Sequence, residues 1–145
     1  MTGDDFYALA VQLSMGSTPA EMRSAISRAY YSAYHNAVEF LESVGIALPN
    51  GPECHVKVRQ ILDQSGDKRL TEATSKLLNL RRNRNDADYD LSKQQFEKKP
   101  QVDLSIKIAD EITSCIKERF ASEERTKICD SLRNYSKNIL KLQVR

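Results

Sequence analysis

Apolar residues in this chain recur three and four positions apart, and no stretch alternates apolar with polar, so the pattern predicts helices throughout. Phe6, Leu9, Ala10 and Leu13 share one face of a first helix over residues 4–15. Ser17-Thr18-Pro19-Ala20-Glu21 is a helix start in which Thr18 caps, Pro19 takes the first helical position and Glu21 closes a capping box. This second helix is predicted to run to about Val44 and to stop at Gly45. At 1.5 Å per residue it is a rod of about 40 Å. A turn-rich loop (Ala47 to Glu53) precedes a short third helix from His55 to about Gln64, carrying Val58, Ile61 and Leu62.

Asp67 or its neighbour opens a fourth helix, with Leu70, Ala73, Leu77, Leu78 and Leu80 as its stripe and an arginine cluster at its end. Residues 90–101 are polar, are closed by Pro100, and read as a loop with at most one helical turn. Asp103 is the expected start of a long helix marked by Leu104, Ile108, Ile112, Ile116 and Phe120. Beyond it, Ile128, Leu132, Tyr135, Ile139 and Leu142 follow the narrow seam of a coiled-coil-like contact, made either with the chain's own bundle or with a partner. On another face, Arg133, Lys137 and Lys141 form a basic stripe, read as solvated surface ahead of nucleic-acid contact. The expectation is one all-α domain over residues 1–145, with 121–145 as its last helix or a helical extension.

With 145 residues the chain is long enough to bury a core without disulfides. A net charge of +2 is too small for general nucleic-acid affinity. Its distribution is more informative: residues 1–50 carry a net −3, whereas residues 68–99 carry nine Lys or Arg against five Asp or Glu. No apolar run nears the roughly 20 residues that span a bilayer, so no membrane contact is expected. Three cysteines without Cys-x-x-Cys spacing, and Asp4 and Asp5 where a leader would be basic, suit a reduced, cytoplasmic setting. Nothing at ligand spacing completes Cys54-His55 as a metal site, so neither a metal nor another cofactor is expected.

Two stretches carry candidate chemistry. Arg81-Arg82-Asn83-Arg84 is followed by Asp86, Asp88, Tyr89 and Asp90, which concentrates guanidinium groups beside carboxylates and a phenol. That grouping suits a phosphate-handling or tightly paired site; the alternative is a solvated charge cluster at a helix end. The second stretch is Arg28-Ala29-Tyr30-Tyr31-Ser32-Ala33-Tyr34-His35. Tyr30 and Tyr34 lie one turn apart, Tyr31 and His35 lie on a neighbouring face, and Ala29, Ala33 and Ala37 form a small-residue strip. A buried tyrosine needs a partner for its hydroxyl, so a polar network in or beside the core is expected ahead of a base-stacking platform. His35 is expected to be a hydrogen-bonded core histidine, and Arg28, Tyr31, His35 and His55 to form a supporting polar network.

RAYYSAYH at residues 28–35, Cys54-His55 and RNDADYD at residues 84–90 together resemble the HEPN superfamily, in particular its small stand-alone branch. The likeness covers residues 20–91; the C-terminal third is alike only in being helical. It implies an up-and-down bundle of about five helices that often dimerises. It also implies, in many members, a metal-independent ribonuclease whose arginine is followed roughly four to six residues later by a histidine. There the guanidinium neutralises a phosphate and the imidazole exchanges protons with a 2′-hydroxyl. Relatives encoded beside nucleotidyltransferases act as toxins restrained by those partners, and others bind nucleotides or assemble.

This chain departs from that pattern, because six residues beyond Arg82 stands Asp88. A carboxylate with a pKa of about 3.9 is a poor base beside an imidazole at about 6.5. His35 and His55 could serve only if the fold brings one alongside Arg84. The leading expectation is therefore a non-catalytic HEPN-like homodimer. It would bind a nucleotide, RNA or a nucleotidyltransferase-type partner through Arg81, Arg82 and Arg84, oriented by Asn83, Asp88 and Tyr89. The alternatives are a toxin-type ribonuclease using Arg84, Asp88 and Tyr89, or a purely structural assembly module.

Overall fold

The computed structural model describes residues 1–145 as an all-α bundle. Its helices are α1 (Gly3–Ser14), α2 (Pro19–Ser43), α3 (Glu53–Asp63), α4 (Lys68–Tyr89), α5 (Lys99–Phe120) and α6 (Arg125–Asn138), with a 3-10 turn at Gln94–Glu97. The central element is α2, which packs on α1, α3, α4, α5 and the 3-10 turn. It starts as its sequence dictates: Thr18 accepts from the Glu21 amide at 3.2 Å, and the Glu21 carboxylate accepts back from Thr18. It ends at Gly45, whose φ of +89° belongs to the left-handed region.

Ala25, Ala29, Ala33 and Ala37 have no exposed surface at all, so one face of α2 is a ribbon of methyl groups against which neighbours seat closely. On the face beside α1, a Cβ added at Gly3 would come within 2.6 Å of the Ser32 carbonyl. Asn36 ties three helices, donating to Asp4 on α1 at 3.2 Å and to Thr113 on α5 at 3.3 Å.

Three boundaries differ from the sequence pattern, each for a local reason. Helix α4 runs through the arginine cluster to Tyr89, because Arg, Asn and Ala offer no break and Arg23 holds the last carbonyls. Helix α5 begins at Lys99, four residues before Asp103, and Pro100 opens that helix where the pattern made it close the loop. Its buried stripe starts with Val102, Ile106 and Ala109, which leaves Leu104 about half exposed at 49%. Leu9 on α1 also faces outward, at 40%.

Helix α6 stops at Asn138, short of the predicted seam, and Ile139 is exposed. Ile128 and Leu132 nonetheless join the main core, so that seam closes on the chain's own bundle. The tail then turns at Lys141 (φ 57°) and returns to the α2–α3 connection. There Ile46 and Val144 form an isolated antiparallel bridge, the Ala47 amide donates to the Gln143 carbonyl and the Arg145 amide to the Gly45 carbonyl, both at 2.9 Å.

Candidate functional site

The site lies where α2, α3 and α4 meet, and it grows from a polar ladder on one face of α2. Arg23, Ser27, Tyr31 and His35 stand one turn apart along that face. The first three engage the C-terminal half of α4 and the turn that follows. Buried Arg23 donates to the carbonyls of Ala87 (3.0 Å), Asp90 (3.1 Å), Leu91 (3.3 Å) and Lys93 (3.0 Å), and pairs with Glu97 at 2.9 Å. Ser27 donates to Asp88 at 3.1 Å. Tyr31 accepts from Arg84.

Arg84 is consequently the best-held member of the cluster. It also donates to the Asn85 side chain, and its Nε lies 3.3 Å from the Asp88 carboxylate. That distance makes an ion pair, but Nε–H is not aligned on the carboxylate and is buried without a hydrogen-bond partner. The guanidinium stands over the rings of Tyr31 (5.0 Å), Tyr89 (5.9 Å) and Tyr30 (6.0 Å). Asn83, expected to orient the arginines, makes no side-chain hydrogen bond; Asn85 performs that task. Tyr89 meets Arg84 only through its ring and is 78% exposed.

Beneath Arg84 the tyrosines enclose His55. Tyr30 and Tyr34 are buried, and the Tyr30 hydroxyl lies 2.6 Å from His55 Nδ1. The His55 ring stacks on Tyr34 with centroids 4.0 Å apart. Burial pushes the Tyr30 phenol up, so it keeps its proton. With no other acceptor in reach it donates to Nδ1, which places the imidazole proton on Nε2. Burial first, then the guanidiniums of Arg81 and Arg84, push His55 down to about 4. His55 is thus a neutral imidazole at pH 7.

His35 is not a hydrogen-bonded core residue. It is half-buried and stacked on Phe6 (5.1 Å) and Tyr31 (5.9 Å), with its pKa lowered by burial and by Arg28. Arg28 covers the Phe6 and Tyr31 rings at 5.3 and 5.0 Å and donates to Ser27 at 3.2 Å.

The fold adds Arg59, which the sequence pattern did not single out. It stands one turn after His55 on α3, and its Nε is buried without a partner. Its one sequence signal is the i, i+4 spacing from His55, which puts both on one side of a short helix. Burial and the neighbouring charges of Arg81 and Arg82 lower its pKa. None of Arg59, Arg81 and Arg82 forms an ion pair. No group of three His, Cys, Asp or Glu side chains is placed to hold a metal ion. No helix is long and apolar enough to cross a membrane. Comparison with protein-family models, curated proteins and solved structures gave no match.

Proposed function

We propose that this chain is a HEPN-like helical protein that binds the phosphate of a nucleotide or RNA at the α3–α4 face, without cutting it. The observation that carries this reading is that Arg59 on α3 and Arg81 and Arg82 on α4 form no ion pair, although the charges of Arg81 and Arg82 reach Arg59 strongly enough to lower its pKa. Like charges held close are unfavourable unless an anion joins them. Arg84, fixed by Tyr31, Asn85 and Asp88, forms the rigid floor of that face.

The chemistry of His55 weighs against ribonuclease activity. A base that takes a proton from a 2′-hydroxyl works best with a pKa near the working pH. An imidazole near 4 whose free nitrogen already bears hydrogen offers a donor to a phosphate instead. Calorimetric titration with RNA and nucleoside triphosphates at low salt tests the reading. Wild type should bind and the Arg81→Gln/Arg82→Gln variant should bind more weakly, with a shallower salt dependence. RNA cleaved by purified protein without added metal, and left intact by His55→Ala, would reverse the choice in favour of the nuclease.

A second reading, assembly as a homodimer, is favoured by the exposure of Tyr89 (78%) and Leu91 (72%) beside the Arg84–Asp88 pair. Sedimentation of wild type against Tyr89→Ser/Leu91→Ser tests it; a wild-type monomer at every concentration refutes it.

A further inference from the structure

A groove of opposite chemistry lies where the start of α1 meets the last turns of α2. It consists of two cavities, of about 250 Å³ and about 500 Å³, which share Thr2 and Glu39 as walls. The smaller is polar, with Asp4, Asn36, Glu39, Ser43 and Lys117 beside the Phe40 ring. In the larger, Met1, Phe6 and Val38 supply an apolar wall, and Glu42 joins Glu39 on the lining. His35 also lines it, stacked on Phe6 and kept neutral by burial and by Arg28.

The groove is therefore acidic: Asp4, Glu39 and Glu42 stand against the single ammonium of Lys117. Glu39 and Glu42 form no ion pair. Lys117 meets Asp4 at 3.7 Å with both side chains more than half exposed, a pair that contributes little and yields to a better-placed cation. The buried member is Asn36, only 4% exposed. Its Nδ2 is engaged by Asp4 at 3.2 Å and Thr113 at 3.3 Å, which leaves Oδ1 as the amide atom free to meet a cavity ligand. An acceptor on a buried side chain without a donor is rare, and marks a place where another molecule's N–H completes the bonding.

We propose that this groove binds an aliphatic di- or polyamine, a methylene chain bearing ammonium groups. An ammonium has three donors, and Asn36 Oδ1, Asp4 and Glu39 are the acceptors that the smaller cavity offers it. The methylenes then lie along Met1, Phe6 and Val38, and a second ammonium reaches Glu42. A metal ion suits the groove less well. It would leave the apolar wall uncovered, and no group of three His, Cys, Asp or Glu side chains is placed to hold one.

The experiment is an NMR titration of the full chain at low salt with putrescine, butylamine and magnesium. Butylamine has the same stem with one charge, and magnesium has the same charge without a stem. Putrescine should bind at least about tenfold more tightly than either, because it alone joins carboxylates across an apolar wall. The Asn36 side-chain amide signals should move as it binds. Glu39→Gln, at an exposed position, should weaken putrescine at least about tenfold. Glu72→Gln, which removes the same charge from exposed α4 surface, should not. Lys117→Gln should tighten binding, since the cation that competes for Asp4 is gone.

Magnesium as tight as putrescine overturns the inference, because charge alone then suffices. Butylamine as tight also overturns it, since one ammonium is what a partner's lysine side chain would offer. Equal losses in Glu39→Gln and Glu72→Gln, putrescine binding that leaves the Asn36 amide signals in place, or no binding at all would each do the same. None of these results touches the α3–α4 reading, and the wild-type comparison needs no variant to fold.

Discussion

The Tyr30 hydroxyl and His55 Nδ1, 2.6 Å apart, join α2 to α3 inside a stack of aromatic rings. Tyr30→Phe leaves a half-buried ring nitrogen without its donor and should cost about 1 to 3 kcal/mol. Removing both polar partners, as in Tyr30→Phe/His55→Phe, should cost less than the two single changes added together. Urea denaturation of all three variants measures the coupling. Strictly additive losses would mean that the bond contributes nothing.

The same histidine gives stability a pH dependence. In the unfolded chain an imidazole binds its proton at about 6.5, whereas folded His55 does so only near 4. Between those values the unfolded state holds more protons, so stability falls as pH drops from about 6.5 to about 4 and is level in this respect below that. Burial and Arg28 shift His35 in the same direction. Nitrogen NMR should show His55 neutral, with hydrogen on Nε2, at pH values well above 4. An imidazolium signal for folded His55 near pH 6 contradicts the arrangement.

Arg23 has the largest set of structural bonds of any side chain here and is only 6% exposed. Arg23→Met should destabilise the fold by about 3 kcal/mol, because several carbonyls and Glu97 lose a charged donor together. Exchange of amide hydrogens in residues 87–97 should accelerate more than in α5. Glu97→Gln, which leaves the carbonyl bonds in place, should cost clearly less. A similar cost for both would mean that the ion pair, and not the carbonyl clasp, dominates.

Gly45 cannot take a side chain quietly. Its φ is +89°, and an added Cβ would stand 2.6 Å from the Arg145 carbonyl oxygen. Gly45→Ala should lower stability by about 1 to 2 kcal/mol and release the Ile46–Val144 bridge. Faster hydrogen exchange at Arg145 and Ala47, with α4 unchanged, is the expected signature.

The helices were legible wherever chemistry punctuated them. Thr18, Pro19 and Glu21 announced α2, and Gly45 ended it. The apolar stripe of α4 was readable at Leu70, Ala73, Leu77 and Leu80, whereas Leu78 stays partly exposed outside the core. Local signals failed where a distant residue decided the outcome. Nothing near Tyr89 says that α4 continues so far, because the group that holds its end is Arg23, more than sixty positions earlier. The beginning of α5 was missed because Pro100 both closes loops and opens helices, and only the preceding 3-10 turn selects between them. In the site, Arg84 and the tyrosine helix stood out as composition. Arg59 did not, since a single arginine on a short helix gains meaning only when packing buries its Nε without a partner.

The alanine ribbon of α2 has a consequence for every group discussed above. The rings, the imidazole and the guanidiniums are set by how near the axis of α2 lies to the helices around it, and that spacing is fixed by four methyl groups. A single larger residue at Ala29 or Ala33 would push the rod outward and carry Tyr30, Tyr31 and Tyr34 with it. The Tyr30 and Tyr31 hydroxyls would lose register with His55 and Arg84, and the Tyr34 ring its stack on His55, although none of those residues had changed. The smallest side chains in the bundle thus act as its gauge blocks, and they set the tolerance to which the cluster between α2, α3 and α4 is built.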